Sequence, residues 1–200
     1  MDEPRPALIL GSTSPYRREL LERLRQPFSV IRPDVDETPA DGEAPDALAM
    51  RLALAKARAA AATARTQHAD AIVIGSDQVA DLDGQPLGKP GTHERATQQL
   101  QQMRGRTVRF HTAVSVLRPS TGFERTLMAT VTARFRPLQD EEIARYLAAE
   151  QPYDCAGSAK AEALGITLLE AIESDDPTAL IGLPLIRTCA LLREAGLPLP

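Results

Sequence analysis

The chain has no tryptophan, and its three tyrosines and four phenylalanines make up only 4% of its 200 residues. Surfaces that bind single-stranded nucleic acid by stacking bases need more aromatic faces than this. A basic excess is also missing: 23 lysines and arginines stand against 27 aspartates and glutamates, a formal net charge of −4. Proteins that coat nucleic acid show the opposite balance, so any phosphate chemistry must rest on a few locally placed cations. Two cysteines, Cys155 and Cys189, lie far apart without metal-ligand spacing. This excludes a disulfide framework and suggests two buried thiols in a reducing compartment. The three histidines, His68, His93 and His111, are scattered through different predicted elements, form no metal triad, and read as structural or surface residues. No apolar run approaches membrane-spanning length, and Met1 to Pro6 lacks an apolar signal region. A cytoplasmic protein with no membrane contact is expected. There is no internal repeat, and an alanine-rich helix is the nearest thing to a low-complexity segment.

What is present reads as one α/β domain over residues 1–200. Leu8-Ile9-Leu10 predicts a short buried strand, and Gly11-Ser12-Thr13-Ser14-Pro15 a tight turn into a helix capped by Ser14. Arg17 and Arg18 sit in that helix's first turn, where the dipole disfavours cations. A turn rich in N–H and hydroxyl donors, backed by two arginines, suits a phosphate; a solvated helix start is the alternative. Phe28 to Ile31 alternates like a strand. It leads to Asp34, Asp36 and Glu37, which are either turn residues or ligands for a hard divalent cation. Pro45 to about Arg65 predicts a long helix with Lys56 at the border of its apolar stripe, positioned either to snorkel to water or to reach into a cleft.

Ala71-Ile72-Val73-Ile74-Gly75 has the continuous apolar character of a central strand covered on both faces. It ends in Ser76-Asp77-Gln78, placing a carboxylate at the carboxyl end of a strand, where open α/β sheets hold their ligands. No helix follows for Asp77 to cap. Instead Val79 to Leu87 predicts a hairpin around Asp83-Gly84. Lys89 lies on a stiff Gly-Lys-Pro-Gly loop, and Thr92 caps a helix that stops at Gly105. Val108 to Val116 and Phe123 to Phe135 predict two antiparallel strands, and Asp140 opens another helix. Gly165 to Leu169 reads as a strand, and Ile181 to Leu185 as the entry to a closing helix.

Seven short motifs then fall in register. They are Ser12-x-Ser14-Pro15-x-Arg17-Arg18, Asp36-Glu37-Thr38, Ala55-Lys56-Ala57, Gly75-x-Asp77, Gly88-Lys89-Pro90, Ala156-Gly157 and Gly182-Leu183-Pro184. In this order the chain resembles the Maf family of nucleoside triphosphate pyrophosphatases, from Leu8 to the final helix. The resemblance implies a mixed α/β fold with an elongated, curved sheet flanked by helices, two lobes and a central cleft, and a possible homodimer. It implies hydrolysis of a nucleoside triphosphate to the monophosphate and pyrophosphate with a divalent cation, Mg²⁺ or Mn²⁺. Carried over residue by residue, Asp77 is the proton acceptor and Glu37 the metal-site acid. Ser12, Arg17, Lys56 and Lys89 take the phosphate-side positions.

Three further positions, Tyr16, Gln78 and Glu162, resemble the YceF-like branch of that family, the 7-methyl-GTP pyrophosphatases. Chemistry supports the comparison. A carboxylate such as Glu162 can accept both the N1–H and the 2-amino group of guanine, and Gln78 can offer an amide donor to O6. Methylation at N7 makes the base cationic, so an aromatic face such as Tyr16 attracts it by about 0.5–2 kcal/mol. Core packing for Tyr16, and a surface charge or an ion pair with Lys160 for Glu162, are the alternative readings. A nucleotide-binding regulator of cell division and a UTP, CTP or dTTP pyrophosphatase are the alternative functions.

Overall fold

The computed structural model describes residues 5–200. β1 (Ala7–Gly11) leads through the predicted turn into α1 (Pro15–Glu22). Ser14 caps α1, its side chain accepting from the Arg17 amide at 3.4 Å, with Pro15 at the first helical position. After the two-residue strand β2 (Ser29–Val30) comes α2 (Pro45–Ala64), close to its predicted bounds. β3 (Ala71–Leu82) and β4 (Gln85–Leu87) form the expected hairpin, with positive φ at both Asp83 and Gly84. α3 (His93–Met103), β5 (Thr107–Arg118), β6 (Phe123–Phe135) and α4 (Asp140–Glu150) follow. The strand predicted from Gly165 begins later: Leu164–Leu168 coils into 3-10 turns, and β7 is Leu169–Glu173. A 3-10 turn at Ala179–Ile181 precedes α5 (Leu185–Glu194).

The strands form one mixed sheet in the order β2-β1-β3-β5-β6-β7, with β4 also on β3. β1 pairs with β3 in parallel, from Ala7↔Ala71 to Gly11↔Gly75, whereas the pairs from β5 to β7 are antiparallel. β5 and β6 have 12 and 13 residues, and at about 3.3 Å per residue each runs for roughly 40 Å. The sheet is therefore elongated.

One expectation needs correction. β3 does not stop near Gly75 but continues through Asp77 to Leu82, because β5 pairs with it without a break from Val73 to Asp81. Asp77 is a mid-strand residue. What ends near it is β1. On that edge of β3, β1 pairs as far as Gly75 and β4 takes over at Ala80. Among the described residues no strand covers Ser76 to Val79 there, and the break opens the sheet's edge.

Apolar residues pack on both faces of this sheet. α2 lies across one face, with Ala57 and Ala60 on Ile9 and Val73, and Leu48, Leu52 and Ala53 on Val79 and Ala113. The opposite face carries two cores. Leu191 and Leu192 of α5, with Leu20 and Leu21 of α1, cover Leu10, Ile74 and Val114. Leu100 and Met103 of α3, with Ile143 and Leu147 of α4, cover Leu82, Phe110 and Phe135. These cores are the two lobes, and β3 and β5 run through both. No helix of the described residues is long and apolar enough to cross a membrane.

Candidate active site

A cleft of about 780 Å³ opens where β1 gives way to β4. The β1–α1 turn, the 32–39 loop, α2, β3, the loop carrying Lys89 and the 154–162 segment all contribute to its walls.

Odd-numbered β3 residues face α2, so Asp77 points at the helix that carries Lys56. The Lys56 ammonium lies 2.6 Å from Asp77 Oδ1 and 2.6 Å from Glu37 Oε1. Its side chain is 8% exposed, as against 10% for Asp77 and 56% for Glu37. Lys56 thus reaches into the cleft rather than out to water, because two carboxylates receive it there. Burial opposes ionisation of Glu37, but the Lys56 hydrogen bond and the charges of Lys56, Lys89 and Arg17 outweigh it and hold its pKa below 4.5.

The two arginines of α1 part company. The Arg17 Nε donates to the Gly182 carbonyl at 2.8 Å, and its Nη1 lies 3.4 Å from Ser12 Oγ. Burial pulls the Arg17 pKa down, and the negative charges of Asp77 and Glu37 oppose that fall. Arg18 instead pairs with Glu22 at 3.1 Å on the exposed side of the helix and lines no part of the cleft. Asp36 also leaves the candidate set, since its carboxylate accepts from the Thr38 amide at 2.9 Å and closes a local turn. Lys89 lines the cleft, as does Arg32, a cation that the sequence motifs do not flag.

Glu37 and Asp77 converge on a single cationic point. Mg²⁺ is commonly held by one or two carboxylates, with substrate phosphates and waters completing its shell. The pair fits that requirement. Among the described residues no group of three or more histidines, cysteines, aspartates or glutamates forms a metal site without a substrate.

At the other end Tyr16 is partly buried, and its hydroxyl donates to Asp154 Oδ2 at 3.1 Å. Burial is the main cause that pushes its pKa up to about 12. The Lys160 ammonium lies 5.7 Å from the centre of the Tyr16 ring, and 3.7 and 3.8 Å from carboxylate oxygens of Asp154 and Glu150. Asp154 lines this end of the cleft, with Lys160 paired to it from behind the lining, yet no motif marks Asp154. Glu162 lies at the rim, where desolvation against the cleft wall raises its pKa. Lys160 makes its close ion pairs with Glu150 and Asp154. Both cysteines are free thiols, half-buried rather than buried as expected. His111 is structural: its ring nitrogens lie 3.2 Å from Asp81 and 3.1 Å from Thr130.

Gln78 departs from its expected role as an amide donor to O6. Its Nε2 lies 2.9 Å from the Ala179 carbonyl, 3.0 Å from the Leu180 carbonyl and 3.0 Å from Thr112 Oγ1. Two carbonyls require the nitrogen to face them, so both amide hydrogens are engaged. The group left for the cleft is the carbonyl oxygen, an acceptor.

Comparison with known proteins gives a consistent result. The sequence matches the family described as Maf-like protein over residues 7–195. A protein named 7-methyl-GTP pyrophosphatase from Polaromonas sp. is 66% identical over 192 residues, 96% of this chain and 86% of that one. Proteins of the same name from Albidiferax ferrireducens and Cupriavidus metallidurans are 62% and 61% identical. These alignments cover 98% of this chain in both cases, and 98% and 96% of the relatives. The solved structure of a nucleoside-triphosphatase / dITP/XTP pyrophosphatase from Mycobacterium abscessus aligns over 66% of this chain and 75% of its own. At 18% identity and a TM-score of 0.39 that likeness carries no argument.

Proposed function

This chain belongs to the Maf family, and from that premise we propose that it is a nucleoside triphosphate pyrophosphatase whose preferred substrate is 7-methyl-GTP. The observation that carries the reading is the cleft's division. Of its lining residues, Lys56, Arg17, Lys89, Glu37 and Asp77 act on one another as one charged group, while Tyr16, Asp154 and Glu162 form a second group around Lys160.

At the phosphate end, Arg17, Lys56 and Lys89 neutralise the triphosphate, with the Ser12 hydroxyl beside them. Asp77 holds a water against the α-phosphorus and takes its proton as the oxygen attacks. The bond from the α-phosphorus to the oxygen bridging to the β-phosphorus breaks, releasing the monophosphate and pyrophosphate. The leaving group gathers charge as this bond lengthens, and preorganised cations stabilise that charge more than they stabilise the ground state. Glu37 and Asp77 would hold a divalent ion, Mg²⁺ or Mn²⁺, which would supply further charge neutralisation.

At the base end, Glu162 accepts from N1–H and the 2-amino group of guanine. Lys160 already lies over the Tyr16 ring, so the base takes the ring's other face. Asp154 at the hydroxyl and Glu162 at the rim give this end the negative field that a cationic 7-methylated base requires. A cytoplasmic setting suits the two free thiols.

The test is the initial rate of pyrophosphate release from 7-methyl-GTP, GTP, UTP, CTP and dTTP with Mg²⁺ or Mn²⁺, with Glu162→Gln run alongside. Preference for 7-methyl-GTP over GTP, weakened in the variant, is expected. Preference for pyrimidine triphosphates would retain the reaction and remove the substrate. No turnover of any nucleotide, with tight binding intact, would replace the enzyme by a nucleotide-binding regulator.

A further inference from the structure

The face of the sheet opposite α2 is apolar at both ends but polar in the middle. Between the two cores stand Ser76, Gln78 and Thr112, and Ser76 and Thr112 are fully buried. Thr112 and Gln78 are directly paired across β5 and β3. All three side chains bond to one short piece of backbone, Ala179 to Gly182. The Thr112 hydroxyl donates to the Ala179 carbonyl at 2.9 Å, and the Gln78 amide covers the Ala179 and Leu180 carbonyls. The Ser76 hydroxyl lies 2.8 Å from the Ala113 carbonyl and 3.2 Å from that of Gly182. Gly182 adopts a φ of 127°, in the region that favours glycine. Its carbonyl also receives the Arg17 guanidinium at 2.8 Å.

Buried hydroxyls on an otherwise apolar sheet face carry a desolvation cost that needs a partner. Here the partners are carbonyls of a turn whose far end holds a cleft cation. We infer that Thr112 and Ser76 are positioning residues for the phosphate end of the cleft: they fasten the 179–182 turn to β3 and β5, and the Gly182 carbonyl thereby sets the Arg17 guanidinium. Strand β3 then serves the site from both faces, with Asp77 on one and the clamp that places Arg17 on the other. Gln78 influences the substrate through this turn rather than by donating to the base. The inference rests on Arg17 being a phosphate-side residue.

Binding of inorganic pyrophosphate, measured by calorimetry, tests the clamp independently of turnover. Loss of one net hydrogen bond corresponds to about a 3- to 10-fold weakening, and Thr112→Val is expected to weaken pyrophosphate binding by that factor. It should raise KM similarly while leaving kcat within about twofold, and Thr112→Ser should restore both, since the bond is kept. The decisive comparison is made in an Arg17→Ala background, where Thr112→Val should add no further loss. An equal additional loss there, or unchanged pyrophosphate binding in Thr112→Val alone, would overturn the inference. Should Thr112→Val fail to fold, Ser76→Ala repeats the cycle with the same two criteria. A wild-type chain that binds pyrophosphate but turns over no nucleotide would defeat the pyrophosphatase reading and leave the clamp standing.

Discussion

Lys56 lies between a buried and a half-exposed carboxylate, so its removal should be felt in both folding and chemistry. Stripped of its ammonium, Asp77 becomes a buried charge without a partner, whereas Glu37 can turn to water. Lys56→Met should therefore lower stability by about 2–4 kcal/mol, read by urea denaturation. Asp77→Asn added to that variant should recover part of the loss, because no orphaned charge remains. Asp77→Asn alone should keep the fold and nucleotide affinity within several-fold while turnover falls at least about 100-fold. Wild-type-like turnover would remove Asp77 from the mechanism. The pKa values of the two glutamates of the site are shifted in opposite directions, so the two should lose their charge at different pH on acidification. The Glu37 pKa is held below 4.5, so its contribution is present above that value and is lost as pH falls through the lower folded one. Desolvation raises the Glu162 pKa above 4.5, so Glu162 takes up its proton earlier on acidification. Selectivity for 7-methyl-GTP over UTP should then decline at a pH above that at which Glu37 titrates. This decline should be absent in Glu162→Gln.

At the level of elements, the site depends on how closely α2 lies on β3. A Cβ built on Gly75 would come within 2.4 Å of both the Ala53 carbonyl and the Ala57 amide. These are backbone atoms that cannot swing away, so Gly75→Ala must lift the helix. Overpacking of this kind costs at least about 2 kcal/mol. Because Lys56 rides on the same helix, kcat/KM should fall more steeply than the loss of stability would imply. A thermal shift without a catalytic defect would show that α2 can move without carrying Lys56 from Asp77. This contact also explains what the sequence could convey. The alanine spacing of α2 and the apolar run of β3 were legible as a helix and a strand, because periodicity records which side of an element is buried. That β3 continues past Asp77 was not legible. Ser76, Asp77 and Gln78 read as a strand's polar end, whereas β5 pairs with them without a break and each polar side chain has a partner from a distant segment.

Across the whole molecule, the motifs brought most of the candidate residues to one cleft: Ser12, Tyr16, Arg17, Glu37 and Lys89 lie in or beside turns with a strong local signature, whereas Lys56 and Asp77 sit inside α2 and β3. Asp154 and Thr112 had no such prominence. Their roles arise from contacts made only on folding, such as the 67-residue separation between Thr112 and Ala179. Gln78 shows the converse: its type was legible, but the carbonyls that claim its amide were not. The same long-range closure predicts how the chain unfolds. β3 and β5 contribute side chains to the cores of both lobes, so neither lobe can open without tearing strands from the other. Thermal unfolding should be a single transition in which far-ultraviolet circular dichroism and calorimetry coincide. Two resolved transitions would mean that the lobes fold independently. The cleft draws its walls from both halves, so inorganic pyrophosphate with Mg²⁺ should raise that transition as a whole. At a free concentration one hundred times Kd the stabilisation is about 2.7 kcal/mol. In Arg17→Ala the same concentration should give a smaller shift, since the weakened affinity enters the logarithm directly. An unchanged shift would place pyrophosphate away from Arg17 and from the turn that holds it.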